Sequence, residues 1–188
     1  MKQLLMMAAV VLVATACQQK TKKDAATIEK DLKEMVENSP GINAGTGTYS
    51  IEAIDGWQKT DTVFGGMRTT LIRSRQEDAS DNFLENITIA TEKVGGGGVE
   101  KYFDDNITGM KAQLPGFNKI KDDEITINNE RAHHMVYTHS YTGTPIDVEA
   151  YFFVKNGIGY VVSCSVEKGK LAQWKPSLDK MVNTFVIN

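Results

Sequence analysis

Two stretches near the carboxyl end decide what this chain can fold into. Over residues 148–154, Val148, Ala150, Phe152 and Val154 fall on one side of an extended strand, with Glu149, Tyr151 and Phe153 on the other. Over 160–166, Tyr160, Val162, Cys164 and Val166 share one side, opposite Val161, Ser163 and Ser165. Asn156 and Gly157 between them form a strong hairpin signal, because both tolerate the positive φ of a tight two-residue turn. A hairpin that is substantially apolar on both sides belongs in the middle of a sheet, with material packed over each face. At 188 residues the chain is long enough to supply that material from a single domain.

The remaining pattern supplies helices and further strands. Val99, Tyr102, Phe103, Ile107, Met110 and Leu114 keep three- and four-residue spacing, which predicts a helix over 99–114 ended by Pro115 and Gly116. Strands are predicted through Tyr49, Ile51 and Ala53, which share a face, and over 69–72, 86–89, 118–121, 124–128, 131–141, 146–155 and 159–167. Asn128 and Asn129 mark a second tight turn, and 75–81 reads as a charged loop. A closing helix over 170–184 places Leu171, Trp174, Leu178, Met181, Val182 and Phe185 on its buried side, with Pro176 placing its regular part from about Lys175 onward. The order of helices and strands fits an α+β fold, an antiparallel β-sheet with helices packed on its faces in an α/β/α sandwich.

The amino end is an address. Lys2 precedes an apolar run over 4–13, then Ala14, Thr15 and Ala16 lead to Cys17. Ten apolar residues fall short of the ~20 that a membrane-spanning helix needs, so the pattern is that of an export signal. It resembles a bacterial lipoprotein signal, which implies cleavage after residue 16 and acylation of Cys17. Domain boundaries follow: 1–16 the signal peptide, 17–45 the lipidated cysteine, a tether and a helix, and 46–188 the folded domain. That short helix, over 24–38, places Ile28, Leu32, Met35 and Val36 on one face. The resemblance further implies a membrane partner through the anchor. Gln18 in place of Asp, and no acidic tag over 18–21, lean toward the outer membrane facing the periplasm.

The chain carries few candidates for chemistry. A net charge of −3 argues against nucleic acid as a partner. The four glycines of 95–98 lead into Val99-Glu100-Lys101, without the Lys-Ser or Lys-Thr of a phosphate loop, and read as a strand-to-helix connection. His133 and His134 are strand neighbours that point to opposite faces, while His133 and His139 share a face about 20 Å apart, so no metal site is expected from them. Cys164 reads as a buried structural thiol. Asp122, Asp123 and Glu124 read as a solvated turn, and Asp104 and Asp105 as the polar side of a helix. Trp57 is expected to pack beneath the sheet. No catalytic residue and no cofactor is expected.

Several stretches carry a family likeness: Tyr49 to Gly56-Trp57; Phe83 with Asn86-Ile87-Thr88-Ile89; Tyr102-Phe103; Asn129-Glu130-Arg131-Ala132; Tyr151-Phe152-Phe153-Val154 with Gly159-Tyr160; and Met181 with Thr184-Phe185. Together they resemble the PsbP-like fold and, within it, DcrB-like bacterial lipoproteins, over roughly 46–188. The resemblance implies a noncatalytic binding or assembly factor of the cell envelope with a protein partner. The alternative it leaves open is a lipoprotein that binds a small ligand or metal in a groove beside the sheet.

Overall fold

The computed structural model describes residues 47–64, 67–76, 83–141 and 143–188. The signal, Cys17, the tether and the predicted helix over 24–38 lie outside them. In chain order the elements are β1 (Tyr49–Ser50), β2 (Gln58–Phe64), β3 (Met67–Arg73), β4 (Asn86–Lys93), α1 (Gly98–Gln113), β5 (Asn118–Ile127), β6 (Glu130–Tyr141), β7 (Thr144–Lys155), β8 (Ile158–Glu167), α2 (Leu171–Val182) and β9 (Val186–Ile187).

Seven strands make one antiparallel sheet in the order β2-β3-β4-β8-β7-β6-β5. It consists of two meanders, β2–β4 and β5–β8, joined where β4 pairs with β8. Helix α1 is the link between them. Strands β7 and β8 stand near the centre, as their two-sided apolar pattern requires. On one face α1 lays Tyr102, Phe103 and Met110 over Met135, Val148 and Phe152. On the other face, Leu178, Met181 and Val182 of α2 and the following Phe185 cover Phe153, Val162 and Cys164. The α+β sandwich inferred from the sequence is therefore the observed architecture.

Both tight turns use positive φ at each central residue: Asn156 (52°) with Gly157 (74°), and Asn128 (50°) with Asn129 (66°). Asn128 does more than turn the chain. Its Nδ2 donates to the carbonyls of Asn183 (2.9 Å) and Phe185 (2.8 Å), tying the β5–β6 turn to the end of α2. A two-stranded ribbon of β1 and β9, with Tyr49 opposite Ile187, ties the start of the domain to its carboxyl end.

Several sequence expectations are corrected. The predicted strands at 118–121 and 124–128 are one strand, β5, with a bulge between Lys119 and Lys121. Asp122, Asp123 and Glu124 therefore lie within a strand rather than in a turn. They look like a turn in sequence because β5 is an edge strand, where charge and a bulge discourage pairing with other chains. Strand β1 stops at Ser50, because only Tyr49 and Ser50 find a partner, in β9. Strand β2 was not anticipated: its residues are mostly polar, and its place at the other edge of the sheet comes from pairing with β3. Helix α2 begins at Leu171 and continues through Pro176, which removes only the donor to the exposed Ala172 carbonyl. Trp57 is half-buried and meets Trp174 of α2 edge to face, with centroids 5.8 Å apart.

Gly159 of β8 is a point of close approach. A Cβ there would lie 2.5 Å from the Tyr102 ring and 2.8 Å from Val94. Gly159→Ala is expected to destabilise the domain by about 2 kcal/mol through overpacking between α1 and the sheet. Urea denaturation of the two proteins side by side checks this.

Candidate functional site

On the α2 side of the sheet, register places His134 of β6 between Asp123 of β5 and Glu149 of β7. Asp123 pairs with His134 directly, and Glu149 lies two residues from His134's partner, Tyr151, and so on the same face. Nδ1 of His134 is 2.5 Å from Asp123 Oδ1, and Nε2 is 2.8 Å from Glu149 Oε1. Lys175 of α2 donates to both Glu149 oxygens, at 2.9 and 3.1 Å, and to Asp179 one turn on at 2.9 Å. Tyr151 stacks on the His134 ring with centroids 5.0 Å apart. Negative and positive groups thus alternate from the edge strand to the helix.

Glu149 is the buried member, 3% exposed. Burial alone would raise its pKa, but hydrogen bonds from His134 and Lys175 outweigh that and hold the carboxyl down at about 2. For His134, burial favours the neutral ring, and the bonds to Glu149 and Asp123 overcome it, raising the pKa above 6.5. Asp123 is held low first by its bond to His134. Cys164 lies directly opposite Glu149 on β8 and is fully buried; burial, then the charge of Glu149, pushes its thiol far up. A thiol so placed is a packing group rather than a nucleophile.

The other candidates from the sequence are dispersed. His133 points to the α1 face, opposite His134, and stacks on Phe103 with centroids 3.5 Å apart; its Nε2 lies 3.5 Å from Asp122 Oδ2. His139, also on the α1 face, stacks on Tyr137 and donates from Nδ1 to the Ser140 carbonyl at 3.2 Å; burial lowers its pKa. Among the described residues no group of three or more His, Cys, Asp and Glu could hold a metal ion. Asp104 is exposed on α1, and Asp105 pairs with Lys101 at 2.8 Å. The glycine run enters α1 with positive φ at Gly97 (122°) and Gly98 (73°), a backbone requirement that accounts for glycine there.

Beside that run is a pocket of about 70 Å³, lined by Glu92, Lys101, Tyr102, Asp105 and the backbone of Gly95 and Gly96 among others. That is far below the roughly 300–1,000 Å³ of pockets that enclose drug-sized ligands. Glu92 is mostly buried there. Burial pushes its pKa up to about 7, a bond from Tyr102 pulls it down, and the charge of Asp105 raises it again. Sequence reasoning missed both the His134–Glu149–Lys175 arrangement and Glu92. The one available signal was Glu149, an acid in an otherwise apolar strand.

Two pH effects follow. Glu149's folded pKa of about 2 lies below the ordinary 4.5, so its stabilisation is complete above 4.5 and lost as pH falls toward 2. His134's lies above 6.5, so its stabilisation is complete below 6.5 and lost as pH rises through the folded value. The stability gap between wild type and Glu149→Gln is therefore expected to be widest between those limits, at about 3 kcal/mol, and to narrow on either side. Denaturant titrations across pH measure it. Glu92 works the other way: its folded pKa of about 7 lies above 4.5, so ionisation weakens the fold over that range. Glu92→Gln is expected to raise stability at pH 8 relative to wild type and leave it nearly unchanged at pH 4, read by the same titration.

Residues 4–187 match the family described as PsbP-like protein. Among curated proteins, no relative matches the chain. Solved structures share the fold. The Pseudomonas aeruginosa protein of unknown function PA94 is 16% identical, with a TM-score of 0.58 over 77% of this chain and 99% of its own. LpqN of Mycobacterium tuberculosis, involved in cell envelope biogenesis, is 15% identical, with a TM-score of 0.58 over 80% and 87%. The cyanobacterial PsbP of Synechocystis is 11% identical, with a TM-score of 0.50 over 77% and 95%. The match along nearly the whole chain, with the two-sided sheet that accompanies it, places this protein in the PsbP-like family.

Proposed function

We propose that this protein is a lipid-anchored, noncatalytic component of the bacterial cell envelope that acts by binding or assembling a protein partner. The observation that carries the reading is the amino end: Lys2, the apolar run over 4–13 and Ala16-Cys17, most of it within the span that matches the family. Acylation of Cys17 would hold the domain at a membrane surface, and Gln18 favours the outer membrane on its periplasmic side. LpqN, of the same fold, is involved in cell envelope biogenesis, which agrees with that address. The arrangement of the domain supports a binding role. Cys164 is sealed in the core, and the His134 ring has both nitrogens engaged, which leaves neither poised as nucleophile or base.

The test of the anchor is fractionation. Wild-type protein is expected in the membrane fraction with an acylated Cys17 at its mature amino terminus by mass spectrometry. Cys17→Ser is expected in the soluble fraction. A substituted protein that remains membrane-bound overturns the reading.

A further inference from the structure

A neutral imidazole has one N–H and one lone pair; an imidazolium has two N–H groups and no lone pair. His134 faces carboxylate oxygens at both nitrogens. Glu149 also accepts from Lys175 at both oxygens, and Asp123 Oδ2 lies 3.2 Å from Lys121, so both carboxylates are ionised and accept only. The arrangement is satisfied by the doubly protonated ring alone. Removal of one proton sets a lone pair against an anionic oxygen at one of the two contacts.

Hydration decides which contact fails. The Asp123 side chain is 41% exposed and can turn to water, whereas that of Glu149 is 3% exposed and cannot. The remaining proton therefore stays on Nε2, toward Glu149, and the contact between Nδ1 and Asp123 breaks. Asp123 lies within β5, which has a neighbour in the sheet on one side only. Glu149 stays fastened to α2 through Lys175.

We propose that His134 is a proton-operated latch: the charged ring pins the edge strand β5 to the sheet, and the neutral ring releases Asp123 while leaving α2 in place. The charged and titratable groups around it are Asp123 and Lys121 from β5, Glu149 and Tyr151 from β7, Cys164 from β8, and Lys175 and Asp179 from α2. Burial keeps Tyr151 and Cys164 neutral, and Glu149, Asp123 and Lys175 hold their charge, so the ring is the member that changes. Release acts on an edge of the sheet, where the backbone of an extended segment can add.

The experiment is an NMR titration of the full chain, with nitrogen-15 shifts of the imidazoles and amide exchange read as protection factors. His134 is expected to titrate above 6.5, the ordinary histidine value. Its neutral form should carry the proton on Nε2. Amides of residues 122–125 should lose protection across that midpoint while those of β4 and β8 keep theirs. In Asp123→Asn the midpoint should fall and β5 protection should cease to follow pH. A midpoint at or below 6.5, a neutral ring protonated on Nδ1, or β5 amides that track those of β4 and β8 would each overturn the latch.

Discussion

The β7–β8 hairpin is apolar on both sides, and a sheet built around such a hairpin has to be covered twice. Tyr102, Phe103 and Met110 of α1 form one cover; Leu178, Met181 and Val182 of α2 form the other. Each cover removes large aromatic and aliphatic side chains from water, at roughly 25 cal/mol per Å². The outer strands need no such treatment. Strand β5 is largely exposed, carries Lys119, Lys121, Asp122 and Glu124, and is kinked by a bulge. The sheet therefore grades from a dry centre to charged edges, and its edges are protected by charge rather than by cover.

Glu149 is an exception to the dry centre, and its surroundings explain how it is tolerated. An ionised carboxylate out of water costs several kcal/mol unless donors converge on it. His134 and Lys175 come from β6 and α2 to meet it. The requirement links the elements: α2 is joined to the sheet by charge as well as by packing. Glu92, in the small pocket beside α1, has a neutral phenol as partner and the carboxylate of Asp105 nearby, and its pKa moves the opposite way. These two acids thus titrate far apart because cationic groups bond one carboxylate and a neutral phenol bonds the other.

The fold is shared by proteins of different description, among them one involved in envelope biogenesis and a cyanobacterial PsbP. At 11–16% identity the likeness speaks for the backbone and not for a task. On this backbone the chain sets His134, Glu149 and Lys175 together on the α2 face. On the α2 side, His134 has both ring nitrogens engaged and Cys164 is sealed in the core.

Local periodicity by itself determined a good deal: the central hairpin and its Asn156-Gly157 turn, the extent of α1 to within a residue, the opposite facing of His133 and His134, and burial of Cys164. These follow from side-chain spacing of two or 3.6 residues, which a short window contains. Strand β2, the continuity of β5 through its acidic residues, and the helix running through Pro176 were not legible: pairing with a neighbour overrode weak local preference in the two strands, and packing of Leu178, Met181 and Val182 on the sheet did so in the helix. The grouping of Asp123, His134, Glu149 and Lys175 spans four elements, and no spacing along the chain encodes it. Only strand register and the seating of α2 bring those charges together, and the same contacts then decide their protonation.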